Sequence, residues 1–178
     1  MSLPQTPKKA KLVIGLFMKD KALFADLSEW LIEKYGTVDL ISPWFPFNYT
    51  TYYEPEMGTP LFRRMLVFKT LIEQESLAGI KIATNKLEQK YSKTNRRFVN
   101  IDPGYMLQER FVLATGKNFA HRIYIGKGIF ADLTLIYTKG AFQQLPWTYP
   151  DYADKKMLNY LELVRNRYLA DIKQEITQ

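Results

Sequence analysis

AHRIYIGKGIFADLTLIYTKGAFQQLPWTYPDY, residues 120–152, holds the only histidine of the chain, three glycines at turns or turn candidates, and two runs of clear alternation. His121 to Ile125 and Ile129 to Tyr137 read as strands joined by Gly126-Lys127-Gly128, a three-residue loop whose glycines accept positive φ. With Ile125 opposite Ile129, the two-residue period of a strand fixes every other pair. Ile123 meets Ala131 and His121 meets Leu133 on a nearly all-apolar face. On the other face Tyr124 meets Phe130, and Arg122 meets Asp132, so opposite charges fall together. Lys139-Gly140 then turns the chain into a further strand, Ala141 to Leu145, and the segment reads as an antiparallel β-meander.

Upstream, Lys11 to Met18 (KLVIGLFM) is apolar without alternation, the pattern of a strand buried on both faces. Asp20 offers a cap to a helix carrying Leu23, Phe24, Leu27, Leu31 and Tyr35 at helical spacing, with Gly36 at its C-terminal end. Thr37 to Ser42 resumes as a strand, Leu61 to Ile72 is a long one, and Ser76 opens a second helix to about Tyr91. Arg97 to Ile101 reads as a strand stopped by Asp102-Pro103-Gly104, a turn sequence. Phe111 to Thr115 is a further strand, and Asp151 or Asp154 caps a terminal helix with Met157, Leu161, Val164, Tyr168 and Ile172 on one face.

The first hundred residues therefore run β-α-β-β-α-β, the split β-α-β, ferredoxin-like order with helices on one face of the sheet. A doubly wound open sheet is the alternative. The expected fold is α/β (α+β), extended by the meander and a C-terminal helix. With 178 residues and no interior linker or repeat, a single domain over 1–178 is expected, residues 1–10 forming a flexible tail.

Composition narrows the chemistry. The chain lacks cysteine, which excludes disulfides, thiolate nucleophiles and thiolate metal sites. A single histidine excludes a multi-histidine zinc site within one chain. No apolar run approaches the ~20 residues of a membrane-spanning helix, and the start MSLPQTPKKAK has no signal-like core, so a cytoplasmic location is expected. With 25 basic and 18 acidic residues the net charge is +7, which favours anionic partners. Between Lys81 and Arg97 six cations face only Glu88; the stretch reads as a solvated helix face or as a phosphate-binding patch.

Two aromatic loops complete the pattern. Residues 43–62 (PWFPFNYTTYYEPEMGTPLF) carry seven aromatic rings, and residues 145–152 (LPWTYPDY) repeat that character in miniature. Each reads as a packed cover of the sheet or as a wall of a ligand site. Should they meet, Tyr52, Tyr53, Trp147 and Tyr149 would frame a pocket, with Arg63, Arg64, Lys117 and Arg122 supplying positive charge. On the hairpin, Tyr124 and Lys127 join Arg122 as ligand-binding candidates if no helix covers that face. Asp102, His121 and Asp132 are the acid–base candidates.

VNIDPGY (99–105), AHRIYIGKGIFADLTLIY (120–137), LPWTYPDY, the opening KLVIGLF, YYEPEMG (52–58) and TNKLEQKY (84–91) together resemble a bacterial family of unknown function. Some of its members carry a GTP-binding label. The residues do not supply a P-loop: Gly126-Lys127 is followed by Gly128 in place of Ser or Thr, and joins two strands. Asn85-Lys86-Leu87-Glu88 ends in Glu, and Asp102-Pro103-Gly104 is one residue short of D-x-x-G. What remains is a binding protein for an anionic ligand, nucleotide or RNA. The alternatives are a small enzyme on a phosphorylated or carboxylated substrate, or an interaction protein that forms a homo-oligomer. Any cofactor is left unidentified.

Overall fold

The structure, a computed structural model, describes residues 1–94 and 96–177, with side chains through residue 174. Its first half contains β1 (Ala10–Met18), α1 (Leu23–Tyr35), β2 (Val38–Ile41), β3 (Phe45–Phe47), α2 (Glu54–Met57), β4 (Leu61–Ile72) and α3 (Leu77–Lys90). The short strands β5 (Ser92–Lys93) and β6 (Arg96–Arg97) follow, then β7 (Val99–Met106), β8 (Arg110–Thr115), β9 (Arg122–Tyr124), β10 (Phe130–Thr138) and β11 (Ala141–Gln144). The chain ends in α4 (Pro150–Ala153) and α5 (Lys155–Thr177). Among the described residues, no helix is long and apolar enough to cross a membrane.

Nine strands form one sheet in the order β11-β10-β8-β7-β1-β4-β2, with β3 added on β4 and β9 on β10. Every pairing is antiparallel, which excludes the doubly wound alternative. The order β7-β1-β4-β2 is compatible with the split β-α-β arrangement read from the sequence. Strand β1 lies in the middle of the sheet and is buried along all nine residues, as its unbroken apolar run requires.

Alternation on β1 then sorts the core. Leu12, Ile14, Leu16 and Met18 pack with Leu27 and Leu31 of α1 and Ile80 and Leu87 of α3. Burying such a leucine contributes about 2 kcal/mol. Val13 packs on the opposite face, which α5 covers with Met157, Leu161, Val164 and Tyr168. Gly15 shares that face, and a Cβ there would stand 3.2 Å from the Tyr152 hydroxyl. The glycine thus makes room for a large ring over the sheet centre.

The hairpin register expected from the sequence is the one observed: Tyr124 lies opposite Phe130, Ile123 opposite Ala131 and Arg122 opposite Asp132. Its apolar face joins the core in part: Ile129 is buried there, and Ile125, Ala131 and Leu133 pack against it. Ile123 is the exception at 68% exposed, on the three-residue edge strand β9. A larger correction concerns Asp102-Pro103-Gly104. It is not a turn but the middle of β7, with Pro103 opposite Ile14 and Gly104 opposite both Val13 and Leu113. From Val99 to Pro103 the strand has only β1 beside it, a setting in which a strand tolerates proline. The cation-rich end of α3 leads into the β5–β6 hairpin instead.

At the far end of β1 the fully buried Lys11 ammonium meets Asp39 of β2 at 2.9 Å and Asp171 of α5, and Arg167 also donates to Asp39 at 2.8 Å. Desolvation works against the Asp39 carboxylate, but the bonds from Arg167 and Lys11 outweigh it and hold its pKa below the usual range. The stabilisation from this group is therefore present above the unfolded carboxylate value and lost as pH falls through the lowered one. Asp39→Asn should lower stability at neutral pH and flatten the acid limb in urea titrations between about pH 7 and pH 2. An unchanged acid limb would mean that Asp39 is not part of the clamp.

Candidate ligand-binding cleft

The site arises where the sheet divides. Strands β7 and β8 pair only over Gly104–Met106, whereas β8 continues along β10 to Thr115. Beyond Gly104 the two halves separate, and one edge of β7 is left without a strand. The backbone of Ile101 on that edge is satisfied from α3: its carbonyl accepts from Lys81 Nζ at 2.8 Å, and its N–H donates to Glu88 Oε1 at 2.7 Å. Lys81 and Glu88, in the sequence part of a stretch that reads as a solvated face or a phosphate-binding patch, are thus buried groups that replace a missing strand. Arg97 is likewise engaged, donating to both Glu56 oxygens (3.0 and 2.8 Å), to Glu88 and to Asn100. Of the basic stretch, Lys86, Lys90, Lys93 and Arg96 are exposed.

The gap is a cleft of about 960 Å³. Residues of both aromatic loops line it: Phe47, Tyr49, Tyr52 and Tyr53 from the first, Tyr149 to Tyr152 from the second. The first loop is also packed structure, since Phe47 and Met57 share a small core with Phe17 and Leu61. Both readings of that loop therefore apply to different side chains of it. The second loop is pinned to β10 by Thr148, which donates to the Thr134 carbonyl at 2.6 Å, and by Trp147, which donates to that of Leu133 at 2.8 Å.

On the cleft floor Arg63 is 3% exposed. It comes from β4 opposite Phe17, and its guanidinium lies over the rings of Phe17, Phe47 and Tyr152 at 4.8–5.0 Å. One nitrogen donates to Asp151, another to Asp102 at 3.2 Å. Asp102 also accepts from Asn100 at 2.8 Å and has Lys81 Nζ at 4.0 Å. Burial pushes the Asp151 carboxyl up, with Arg63 opposing, and burial likewise pushes up Glu88 despite Lys81. Burial raises the Tyr53 and Tyr152 phenols, and the Asp102 charge raises both further. Asp132 is 1% exposed and accepts from Arg122 Nε at 2.8 Å, with His121 Nε2 3.3 Å away. Arg122 also donates to the Lys117 carbonyl and to the Tyr149 hydroxyl at 2.6 Å.

Of the residues singled out from the sequence, Tyr52, Tyr53, Arg63, Asp102, Lys117, Asp132 and Tyr149 line the cleft. His121, Arg122 and Trp147 stand behind its wall, the His121 and Trp147 rings stacked at 4.7 Å. Three lie elsewhere. Arg64 alternates to the opposite face of β4, where it covers Phe24 and Trp44. Tyr124 is 61% exposed and packs on Phe130 along the edge hairpin, and Lys127 sits at the exposed hairpin tip.

Sequence reasoning did not assign Glu88, Asn100, Asp151 or Tyr152 to a site, and it named Lys81 and Arg97 only within a stretch that reads as a solvated face or a phosphate-binding patch. For Asp151 a signal existed, an acid inside an aromatic loop; of the two cap candidates, Asp151 and Asp154, it is Asp154 that caps the helix, accepting from the Lys156 N–H at 2.8 Å. Among the described residues, buried polar atoms without a hydrogen-bond partner include Arg63 Nε, Asp132 Oδ1 and the Tyr152 hydroxyl, all belonging to residues that line the cleft. Leaving such a group unpaired costs stability.

No curated protein and no solved structure matches the chain. A family model described as Domain of unknown function (DUF4416) matches residues 8–168, which takes in β1, the divided sheet, both aromatic loops and most of α5. The chain belongs to that family.

Proposed function

We propose that the protein binds a small anionic organic molecule in the divided-sheet cleft. The observation that carries this reading is the state of the charges. The lining cations are Arg63, Lys81, Arg97 and Lys117, and the lining carboxylates Glu88, Asp102, Asp132 and Asp151. Arg63, Lys81 and Arg97 each have carboxylate partners. Lys117 has none among the described residues; its ammonium only donates to the Tyr52 hydroxyl at 3.1 Å and lies 4.8 Å over that ring. It is exposed at the mouth, so an anion meets it without displacing an existing ion pair. The exposed Lys86, Lys90, Lys93 and Arg96, interleaved in sequence with the lining residues Gln89, Ser92 and Arg97, add a positive field on the approach.

The test is a thermal-shift panel of phosphate- and carboxylate-bearing small molecules against the wild type, Lys117→Met and Lys117→Arg. A ligand at about a hundred times its Kd stabilises the fold by about 2.7 kcal/mol, enough to raise the midpoint by several degrees. Lys117→Met should weaken binding about tenfold or more, and Lys117→Arg should retain it. A surface for RNA would behave otherwise, with affinity that rises with oligonucleotide length, falls steeply with salt and ignores Lys117. That outcome would overturn the cleft reading.

A further inference from the structure

We infer that the cleft's ligand is a hydroxylated ring with one anionic group, of sugar-phosphate type, and that Asp102 reads its hydroxyls. This rests on the small-anion reading above and adds the chemistry of the other end of the molecule. Asp102 is the most open of the four lining carboxylates: its side chain is 25% exposed, against 9% for Glu88, 8% for Asp151 and 2% for Asp132. One of its oxygens accepts from Arg63 and the other from Asn100. An ionised carboxylate has about four lone-pair sites, so each oxygen retains capacity toward the cleft and asks for a donor.

Two donor classes compete for that position. An ammonium would be a third cation beside Arg63 at 3.2 Å and Lys81 at 4.0 Å, and like charges repel strongly where water is scarce. A neutral hydroxyl donates without that penalty. The rings favour the same class. Tyr52 and Tyr53 meet edge-on at 87°, Phe47 and Tyr49 at 70°, and Phe47 and Tyr53 at 60°. Edge-on rings of this kind form no parallel pair that would sandwich a base, whereas a sugar needs only C–H contact with one of them. The stacked pairs among the described residues, Phe17 with Phe47 and His121 with Trp147, have their facing surfaces already occupied. A cleft of 960 Å³ holds such a ring together with its anionic arm.

Isothermal titration of the full chain with inorganic phosphate, ribose, ribose 5-phosphate and adenosine 5′-monophosphate decides the matter. Ribose 5-phosphate should bind at least about tenfold tighter than inorganic phosphate, and ribose alone more weakly than either. Asp102→Asn should erase the margin between ribose 5-phosphate and phosphate, read as the ratio of the two affinities within that variant. Lys117→Met should weaken both. Phosphate binding that depends on Lys117 and gains nothing from the sugar would overturn the hydroxyl reading and leave the anion site standing. Adenosine monophosphate binding about tenfold tighter than ribose 5-phosphate would overturn it in favour of base recognition. Silence from all four would sink this inference, and the anion site too once the wider panel is also silent. The wild-type comparison tests the need for hydroxyls by itself, and should Asp102→Asn not fold, Asp102→Glu, which keeps the charge but moves the oxygens, should shrink the same margin; an unchanged margin would overturn the assignment to Asp102.

Discussion

Replacing Arg63 by Met should lower the unfolding free energy by about 3–5 kcal/mol, the usual loss when one partner of a buried ion pair is removed. The guanidinium is almost wholly enclosed and stands between two carboxylates, Asp151 and Asp102, against three aromatic rings. Met fills much of the volume and keeps the contacts with Phe17 and Phe47, so the loss comes chiefly from the stranded acids. Asp151 is the more enclosed of the two, and adding Asp151→Asn to Arg63→Met should recover part of the deficit. Arg63→Lys should fall between wild type and Met, since a point charge cannot present a planar fork to two acids or lie flat over rings. Urea midpoints at constant m would report all three. A deficit below about 1 kcal/mol for Arg63→Met would show that the cluster is solvated and not a buried ion network.

The same variant carries a pH signature of known sign. Burial raises the Asp151 carboxyl above its unfolded value, and Arg63 pulls it partly back. A raised carboxyl binds its proton more readily in the folded state, so its contribution is greatest below the unfolded value and declines as pH rises through the folded one. Without Arg63 the upward push is unopposed. The deficit of Arg63→Met should therefore shrink as the pH is lowered from neutrality toward about 4.

Arg63 also shows where the sequence stops being informative. Its strand, Leu61–Ile72, was legible to the residue, as were the α1 helix from Leu23 to Gly36 and the register of the 120–138 hairpin. These depend on local periodicity, on glycine at a helix end and on charge pairing across a two-residue repeat. Face assignment was legible in principle, because Arg63 and Arg64 are neighbours on a strand and only one of them can point into any given side. Which one could not be read until the positions of α5 and of the aromatic loops were known. The charged stretch at Lys81–Arg97 failed for a related reason. Charge density there resembles a solvated face, yet Lys81 and Glu88 serve a backbone edge thirteen to twenty residues away in sequence. That edge exists only because β7 and β8 part, and no local pattern announces a strand that loses its neighbour halfway. The meeting of the two aromatic loops was foreseeable as a possibility from composition; the buried ion network below them was not.

Gly104→Ala should be the sharpest test of the divided sheet, with an expected loss of about 3 kcal/mol or more, at the upper end of overpacking effects. Asp102-Pro103-Gly104 has the composition of a turn, and a glycine in a turn supplies backbone freedom that alanine partly keeps. In β7 the glycine has a different task. A Cβ at position 104 would stand 2.4 Å from the Val112 carbonyl oxygen and 2.9 Å from a methyl of Leu113. The first obstacle is backbone, so no rotamer change relieves it; β8 itself must move. Gly104 is also the last residue at which β7 and β8 pair before they separate into the cleft. Pushing them apart there should carry the split toward Tyr105–Val112 and Met106–Phe111, exposing Phe111 and Leu113 from the core on the α5 side. The variant should thus lose stability, and amides of β7 and β8 should exchange faster than those of β1 and β4. Ligand affinity should fall as well, because Asp102 on one lip and Lys117 beyond the other take their spacing from this junction. If Gly104→Ala were neutral, the close approach of the two strands would be wrong, and with it the geometry that sets Asp102 inside a cleft and not on a turn.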